Sequence, residues 1–454
     1  MNYGNLLSNG PIIFSNVTQV IEESIARVKQ ETFDEMYEIR DMAIDYYSFN
    51  NTSQYINQYF EGSLQSEMPL YTTNMTKRLI NRMSLVYKDA PIREIESDVY
   101  QDYLMDKDTQ FKLYERVHNL LGTMAVQVYW HEPHKHLHYR PILNFQPVFD
   151  ADNPTKPIAI VYLANKTTGN TFQNQADEFI YWSDEDHFRF DSDGKIIEIN
   201  EGNVNPYGVM PFCFLQPNTL IDEFWNDGAL DIAYANQQVD IAMTMLQHHI
   251  RSAGGQFVIE GNVDARNIRL GLNRIVSLSD ADMKNISPNV NIEAIMEGVK
   301  FQLQNVAQNH HLTFDFGLSG SKSGVALKME NLELLEARED DVEKFRTFEN
   351  HIYNIERAIV EVEDNTILPE QMSVDFAEIH FPDEKHEMDK WDWKFAHGLA
   401  DQADYLMYKD PDRFPDREDA LDYLFERSKP DLDDEEPEEN TGNGLLRALQ
   451  TPMR

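Results

Sequence analysis

Four histidines lie close together in the segment HEPHKHLH, at His131, His134, His136 and His138. Imidazole is a common ligand of zinc, but a metal site needs several converging ligands, usually with a cysteine or carboxylate from elsewhere. His136 and His138 would share a face if the segment is a strand, and Glu132 is an acid close by. A metal-dependent enzyme using this cluster and a distant acid is therefore one hypothesis. A histidine-rich surface hairpin explains the same residues, and we assign no metal ligand.

A second candidate is the segment from Gly317 to Gly324, which is rich in glycine and serine and carries a single cation, Lys322. A phosphate-binding loop has a glycine immediately before its lysine and follows a strand. Here Ser321 precedes the lysine, and the segment follows a predicted helix. The sequence therefore indicates a flexible loop rather than a nucleotide site, with Gly320, Ser321, Lys322 and Ser323 at its centre.

The chain carries none of the common catalytic patterns. We find no nucleophile elbow, no dinucleotide-binding glycine pattern and no zinc-protease motif. Paired acids such as Glu339 and Asp340 are expected without a catalytic role in a chain with 78 acidic residues. The single cysteine, Cys213, lies in an apolar stretch and is predicted to be buried. We therefore predict no catalytic residues, no enzyme activity and no cofactor.

The chain has 454 residues and a formal net charge of -39. This length suggests about two to four domains, and a hydrophobic fraction of 41% is enough for a folded core. A chain this acidic excludes binding of DNA or anionic lipid by broad neutralisation of phosphates. It has one cysteine, no basic residue before Arg27 and no apolar run near the roughly 18 residues of a membrane span. We expect a soluble protein made inside the cell.

The hydrophobic periodicity changes twice along the chain and predicts an α+β protein. Apolar residues recur first at helical spacing, then at every second position between turn sequences, and then at helical spacing again. Helices are predicted at residues 16–47, 72–87, 111–121, 229–252, 291–311, 389–406 and 417–429. Strands are predicted at residues 124–131, 136–142, 157–163, 178–183, 187–191, 195–200 and 372–381, with short strands and turns between 256 and 290.

The longest predicted helix follows the glycine- and serine-rich loop directly. Its apolar residues recur in steps of three, four or seven, at Leu332, Leu335, Val342, Phe345, Phe348, Ile352, Ile355, Ile359 and Val362. A helix from Val325 to Val362 would be about 57 Å long. A loop at the end of a long rigid rod suits a part that must reach into a space and move there.

Four short segments stand in an informative order: LINRMSLVYKDAP at Leu79–Pro91, LLGTMAVQVY at Leu120–Tyr129, NPYGVMPF at Asn205–Phe212 and SGVALKME at Ser323–Glu330. In this order they resemble segments of tailed-bacteriophage portal proteins, the head-tail connector rings. The first is similar to the early portal helix that ends in a proline turn, and the second to the step from a helix into the wing sheet. The third is similar to the turn before the stem, and the fourth to the entry into the tunnel helix.

The resemblance implies a portal fold with an α/β wing, a two-helix stem, a small α/β clip, a long tunnel helix and a short helical crown. On this numbering the implied parts are an N-terminal arm and wing at 1–228, a stem helix at 229–253, the clip at 254–290, a second stem helix at 291–311, the tunnel loop at 312–324, the tunnel helix at 325–365, a wing return strand at 366–388, the crown at 389–429 and an acidic C-terminal tail at 430–454. The histidine segment and the acidic tail have no counterpart in the family pattern.

The resemblance also implies a homo-oligomer, a ring of twelve subunits at the portal vertex of the capsid in the virion, assembled in the host cytoplasm. Double-stranded DNA would pass through the ring during packaging and ejection. The large terminase subunit would dock on the clip and be replaced later by head-completion or adaptor proteins. The major capsid protein and scaffold are further implied partners, and no membrane is implied. A neck adaptor is a third hypothesis, but such proteins are much shorter and lack the long tunnel helix.

Two basic sites are expected on such a ring. Twelve copies would carry twelve times -39, or -468 formal charges, so a mostly acidic bore would repel DNA and let it slide. Lys322 and its loop neighbours named above would contact phosphates at the narrowest point. Arg266, Arg269 and Arg274 make the implied clip locally basic. They are either ordinary surface arginines or contacts with an acidic partner or with DNA leaving the ring.

Overall fold

The structure is a computed structural model that describes residues 12–28, 31–60, 69–164, 178–216, 224–252, 256–261, 281–286, 291–312, 332–377, 384–410 and 413–428. The chain forms two compact units. The first comprises Met1–Ser321 and Leu327–His380, and the second comprises Lys322–Ala326 and Phe381–Arg454. Helices and sheets occur together in the first unit, which confirms the predicted α+β class.

Strands of the described residues form four separate sheets. In chain order they are β1 (Ile12–Ile13), β2 (Ile92–Glu94), β3 (Met124–His131), β4 (His136–Ile142), β5 (Gln146–Asp150), β6 (Asn153–Leu163), β7 (Glu178–Ser183), β8 (His187–Asp191), β9 (Ile196–Ile197), β10 (Phe212–Leu215), β11 (Gln256–Gly261), β12 (Ala281–Ile286) and β13 (Ser373–Asp375). A six-stranded sheet has the order β1-β5-β6-β7-β8-β9, and a three-stranded sheet has the order β10-β3-β4. The remaining strands form the antiparallel pairs β11-β12 and β13-β2.

Nine of the described helices belong to the first unit and three to the second. The first set is α1 (Val17–Val28), α2 (Glu31–Ser48), α3 (Thr52–Asn57), α4 (Met75–Met83), α5 (Tyr100–Tyr103), α6 (Lys107–Leu121), α7 (Leu230–Ser252), α8 (Ile292–Asn309) and α9 (Leu332–Asp364). The second set is α10 (Glu384–Ala396), α11 (Gln402–Lys409) and α12 (Arg417–Ser428). Within these described helices, none combines the length and apolar character that a membrane crossing requires.

Predicted and observed elements agree best where the periodicity is strong. The strands β3, β4, β7 and β8 have the predicted bounds, and α7, α8 and α12 differ from prediction by a few residues. The periodicity does not predict β2, β5 or β10, because β2 and β10 are too short to show an alternation and β5 is buried on both faces. The strands predicted at 195–200 and 372–381 shorten to β9 and β13 within the described residues.

Two predicted helices are wrong in their continuity, and a third is interrupted only at residues that the structure does not describe. The helix predicted at 389–406 is two helices, because Gly398 takes a φ of 65° and Asp401 begins α11 with a capping box. The helix predicted at 72–87 ends at Met83, where the Ser84 hydroxyl donates to the Ile80 carbonyl at 2.7 Å and the Ser84 backbone is extended. The helix predicted at 16–47 is the pair α1 and α2, and residues 29 and 30 between them lie outside the described residues.

Among the described residues, three hydrophobic cores support the first unit. The largest lies between the helices α2, α4, α6, α7, α8 and α9 and the three-stranded sheet. The other two cover opposite faces of the six-stranded sheet. Along β6, Val161 and Leu163 enter the core beneath α1, whereas Ile160 and Tyr162 enter the core that contains Phe212. This alternation is expected of a strand that is covered on both faces.

Two glycines allow the backbone at the start of α7 to pack closely against the backbone at the end of α6. Gly122 has a φ of +75°, and a Cβ atom at this position would lie 2.0 Å from the Asn226 carbonyl oxygen. A Cβ atom at Gly228 would lie 2.3 Å from the Gly122 amide nitrogen, and the Ala229 amide donates to the Asn119 carbonyl at 2.9 Å. Because only glycine fits such an approach, this junction determines where α7 leaves the body formed by α6 and β3.

Candidate functional site

The seven residues that sequence analysis assigns to a DNA channel or a docking site all lie outside the described residues. They are Gly320, Ser321, Lys322 and Ser323 in the implied tunnel loop and Arg266, Arg269 and Arg274 in the implied clip. Their roles therefore stay predictions. The structure does describe the elements on either side of both segments, and these elements define the candidate site.

The helix α9, which follows the implied tunnel loop, carries two buried carboxylates, Glu349 and Glu356. They lie seven residues apart, so both face the same side of the helix. Arg93 of β2 donates to both oxygens of Glu349, from Nη2 at 2.6 Å and from Nε at 3.1 Å. Lys107 of α6 bridges the two acids, because its Nζ lies 2.8 Å from Glu356 Oε1 and 3.3 Å from Glu349 Oε2.

Three tyrosine hydroxyls also donate hydrogen bonds to these carboxylates. Tyr87 donates to Glu349 at 2.9 Å, while Tyr100 and Tyr139 donate to Glu356 at 2.6 Å and 2.5 Å. Burial and the adjacent carboxylates raise the pKa of all three tyrosines well above its ordinary value. Burial alone would raise the pKa of Glu349, but Lys107 and Arg93 lower it below its ordinary value. The cluster is therefore a fully paired ionic network inside the core.

This ionic network fixes α9 to the body of the first unit through five segments: β2, α5, α6, β4 and the turn that contains Tyr87. Breaking a buried ion pair by removing one partner typically costs about 3–5 kcal/mol, so the middle of α9 is held firmly. Nearer to its start, Arg338 donates to the carbonyls of Leu85 and Ala377 at 3.2 Å and 2.6 Å. These contacts hold α9 firmly against the body of the first unit.

A second polar network attaches α7 to the segment that precedes α4. Asn236, Asp240 and Thr244 lie on one face of α7, because they are spaced four residues apart. Thr244 Oγ1 accepts from the Tyr71 amide at 3.0 Å, and Asp240 accepts from the amide and hydroxyl of Thr73 at 3.0 Å and 2.8 Å. Burial raises the pKa of Asp240 to about 7, although its hydrogen bonds with Thr73 oppose this shift.

Asn236 also caps a helix to which it does not belong. Its Oδ1 accepts from the amides of Met75 and Thr76 at 3.0 Å and 2.9 Å, in the first turn of α4. The residue at the capping position itself, Asn74, makes no side-chain capping bond. The start of α4 is therefore positioned by α7 across the core.

The helices α7 and α8 run antiparallel and are joined where α7 begins and α8 ends. There, His310 Nε2 lies 2.7 Å from Asp231 Oδ1. Burial alone would raise the pKa of Asp231, but His310 lowers it. Four large apolar side chains on this helix pair are exposed: Met245, Ile250, Ile292 and Phe301, of which Phe301 is 66% exposed. Within the part of the chain that the structure describes, the helix pair therefore leaves several large apolar side chains exposed.

The histidine segment is a hairpin, and its register places His131 opposite His136 and Tyr129 opposite His138. The prediction that His136 and His138 share a face is therefore confirmed. The ring centroids of His131 and His138 lie 4.7 Å apart, and those of His131 and His134 lie 5.1 Å apart. Burial and the neighbouring histidines lower the pKa of His138.

These histidines do not form a catalytic metal centre among the residues that the structure describes. No three histidine, cysteine, aspartate or glutamate side chains within that part of the chain are arranged to hold a metal ion. Nδ1 of His136 instead donates to the Asp102 carbonyl at 2.9 Å. The geometry therefore gives no support to the hypothesis of a metal-dependent enzyme.

Sequence reasoning misses the ionic network on α9, although one signal for it exists. Glu349 and Glu356 lie within the predicted apolar stripe, beside Phe348 and Ile355. A carboxylate on the buried face of a helix requires a cation or several donors. Neither Arg93 nor Lys107 is identifiable as the partner from spacing, since each lies far from α9 in sequence.

No protein-family model matches the chain, and no curated protein matches it either. Among solved structures it is similar to a chain from the neck of an empty gene transfer agent (GTA) particle computed with C6 symmetry, with a TM-score of 0.42 and 11% identity, covering 74% of this chain and 90% of that one. It is also similar to a chain from the virion of a native GTA particle, with a TM-score of 0.40 and 12% identity, covering 79% and 93%. Neither likeness carries a functional argument.

Proposed function

We propose that the chain is the portal subunit of a tailed phage, a ring-forming conduit for double-stranded DNA rather than an enzyme. The observation that carries the proposal is the order of elements after residue 229. Two packed helices, α7 and α8, lie in the chain before and after the antiparallel strand pair β11-β12. The segment that contains Lys322 and the 33-residue helix α9 come next in the chain, and β13 then pairs with β2.

The ionic network supports a mechanical role for α9. A loop that touches moving DNA needs a support that does not move with it. Glu349 and Glu356 bind the helix to β2 and α6 through paired, desolvated charges. In the proposed ring, α9 stays fixed to the body of the subunit while the segment around Lys322 contacts the DNA.

The exposed apolar surface of α7 and α8 supports self-association. A repeated head-to-tail contact closes into a ring when the rotation between neighbours divides a full turn. The exposed side chains of Met245, Ile250 and Phe301 suit such a contact, because burying each removes apolar area from water. We propose that this surface packs against the neighbouring subunit of a dodecamer.

The net charge supports passage of DNA rather than its capture. A formal charge of -39 per chain disfavours tight phosphate binding over the whole bore. We propose that Lys322 contacts phosphates locally and that Arg266, Arg269 and Arg274 belong to the surface on which the terminase and then the adaptor dock. The capsid protein and scaffold are the further proposed partners, and the virion is the proposed location.

The proposal is tested by electron microscopy and mass photometry of the purified chain. The wild type is expected to form rings with a central hole, and Phe301→Glu is expected to abolish them while the subunit stays folded. Ile196→Glu, at an exposed apolar position on β9, is the matched control and is expected to leave rings intact. A compact wild-type monomer at every salt concentration would overturn the proposal. Intact rings in Phe301→Glu would remove the α7–α8 surface from the subunit contact.

A further inference from the structure

Two buried ring nitrogens in the β3–β4 hairpin lack hydrogen-bond partners among the residues that the structure describes. They are Nδ1 of His131 and Nε2 of His138. Buried polar atoms are paired in the great majority of cases, and an unpaired one calls for a partner such as a water or an ion. Both atoms belong to the same face of the hairpin, since His131 and His138 occupy diagonal positions in the register.

The separation of the two rings fits a shared ligand. Their centroids lie 4.7 Å apart, and their planes are inclined by 40°. Two imidazoles bound to one tetrahedral ion at about 2.0–2.1 Å have centroids roughly 5 Å apart. The observed spacing is close to this value.

The other two histidines of the hairpin make different contacts. The His134 ring stacks on His131 with an angle of only 20° between the planes. The lone pairs of nearly parallel rings do not converge, because they lie in the ring planes. His136 donates from Nδ1 to the Asp102 carbonyl. Among the described residues, no three potential ligands are grouped closely enough to hold an ion, so His131 and His138 are the candidate pair.

We propose that His131 and His138 form a two-histidine site for a divalent transition-metal ion such as Zn²⁺, Ni²⁺ or Cu²⁺. Imidazole suits these ions, whereas Mg²⁺ and Ca²⁺ prefer oxygen ligands. Two protein ligands leave further coordination positions, which water fills at this half-exposed hairpin tip. The site is independent of the ring proposal, because it uses no residue of α7, α8 or α9.

The test uses the full-length chain without an affinity tag, stripped of metal with a chelator. Zn²⁺ is titrated in competition with a chromogenic chelator, and Cu²⁺ is titrated while its absorption is followed. The wild type is expected to bind one equivalent per chain. His131→Gln and His138→Gln are each expected to weaken binding by at least about tenfold, because each removes one of two ligands. His134→Gln is the matched control in the same hairpin and is expected to change affinity by less than about threefold, since it removes no ligand.

Three outcomes would overturn this site. One is a folded wild type that binds no stoichiometric metal, which would assign the two nitrogens to a water or a shared proton. Another is binding that survives both ligand substitutions, which would place the ion elsewhere among the 14 histidines. The third is an equal loss in His134→Gln. Circular dichroism verifies that each variant is folded, and microscopy of the same samples reports ring formation separately. Loss of rings with intact metal binding would count against the portal proposal alone.

Discussion

Arg93 on β2 and Glu349 on α9 form a two-point ion pair, with Nη2 to Oε1 at 2.6 Å and Nε to Oε2 at 3.1 Å. Both side chains are almost entirely buried. One salt bridge therefore links α9 to the two-stranded sheet β13-β2. The strand β13 of this sheet follows α9 in the chain.

Arg93→Met is expected to lower the free energy of unfolding by about 3–5 kcal/mol, because Glu349 loses its two-point partner inside the core. Urea unfolding at one fixed protein concentration measures this change. Arg189→Met is the control, since Arg189 lies 3.7 Å from Glu178 at an exposed site. Exposed pairs contribute about 0–1 kcal/mol. Equal losses in the two variants would contradict the assignment of Arg93 as an anchor of α9.

Asn236→Ala is expected to destabilise the protein by about 1–3 kcal/mol, because the Met75 and Thr76 amides lose their acceptor in a buried site. The same unfolding experiment reports the loss. Asn74→Ala, at the capping position next to these amides, is expected to stay within about 0.5 kcal/mol, since its side chain caps nothing. A larger effect for Asn74 than for Asn236 would show that α4 is capped locally after all.

Asp240 is expected to make stability depend on pH. Its pKa is raised to about 7 in the folded chain, above the ordinary value of 3.8. Between these values the folded state keeps a proton that the unfolded chain has released, so stability falls as pH rises from about 4 to about 7. The free energy of unfolding of Asp240→Asn minus that of the wild type is therefore expected to be larger at pH 8 than at pH 5. Unfolding curves of both proteins at the two pH values measure the difference, and an unchanged difference would contradict the raised pKa.

Elements with long periodic sequences are predictable here, and contacts between distant segments are not. The bounds of β3 and β4 follow from alternation on either side of a polar turn, and α8 follows from its apolar stripe and its capping residue, Asn291. The sequence shows a glycine, Gly398, within a helical pattern. A glycine inside a helix is tolerated often enough that it does not by itself predict the end of the helix. The sequence does not predict that Asn236 of α7 caps α4, because Asn236 and Met75 are brought together only by tertiary folding.

Gly122→Ala is expected to prevent stable folding or to cost at least about 3 kcal/mol, because the new methyl group would overlap the Asn226 backbone. Soluble yield and urea unfolding measure this loss. Gly208→Ala is the matched control, since Gly208 also has a positive φ of 64° but has no atom within 4 Å of its added Cβ. Its cost is expected to be about 1 kcal/mol, from the backbone conformation alone. Similar costs at both positions would show that the α6–α7 junction is not closely packed.

Lys322→Ala is expected to leave ring formation unchanged and to alter DNA packaging or retention. The lysine is the one cation between Gly317 and Gly324, and a local phosphate contact is lost when it is removed, while the subunit contact proposed for α7 and α8 is untouched. Microscopy reports the rings, and the DNA content of particles assembled with the variant reports packaging. Lys195→Ala removes the same charge from the turn between β8 and β9 and is expected to package normally. Packaging by Lys322→Ala that equals that of the control would remove the loop lysine from the mechanism and leave the conduit without its proposed phosphate contact.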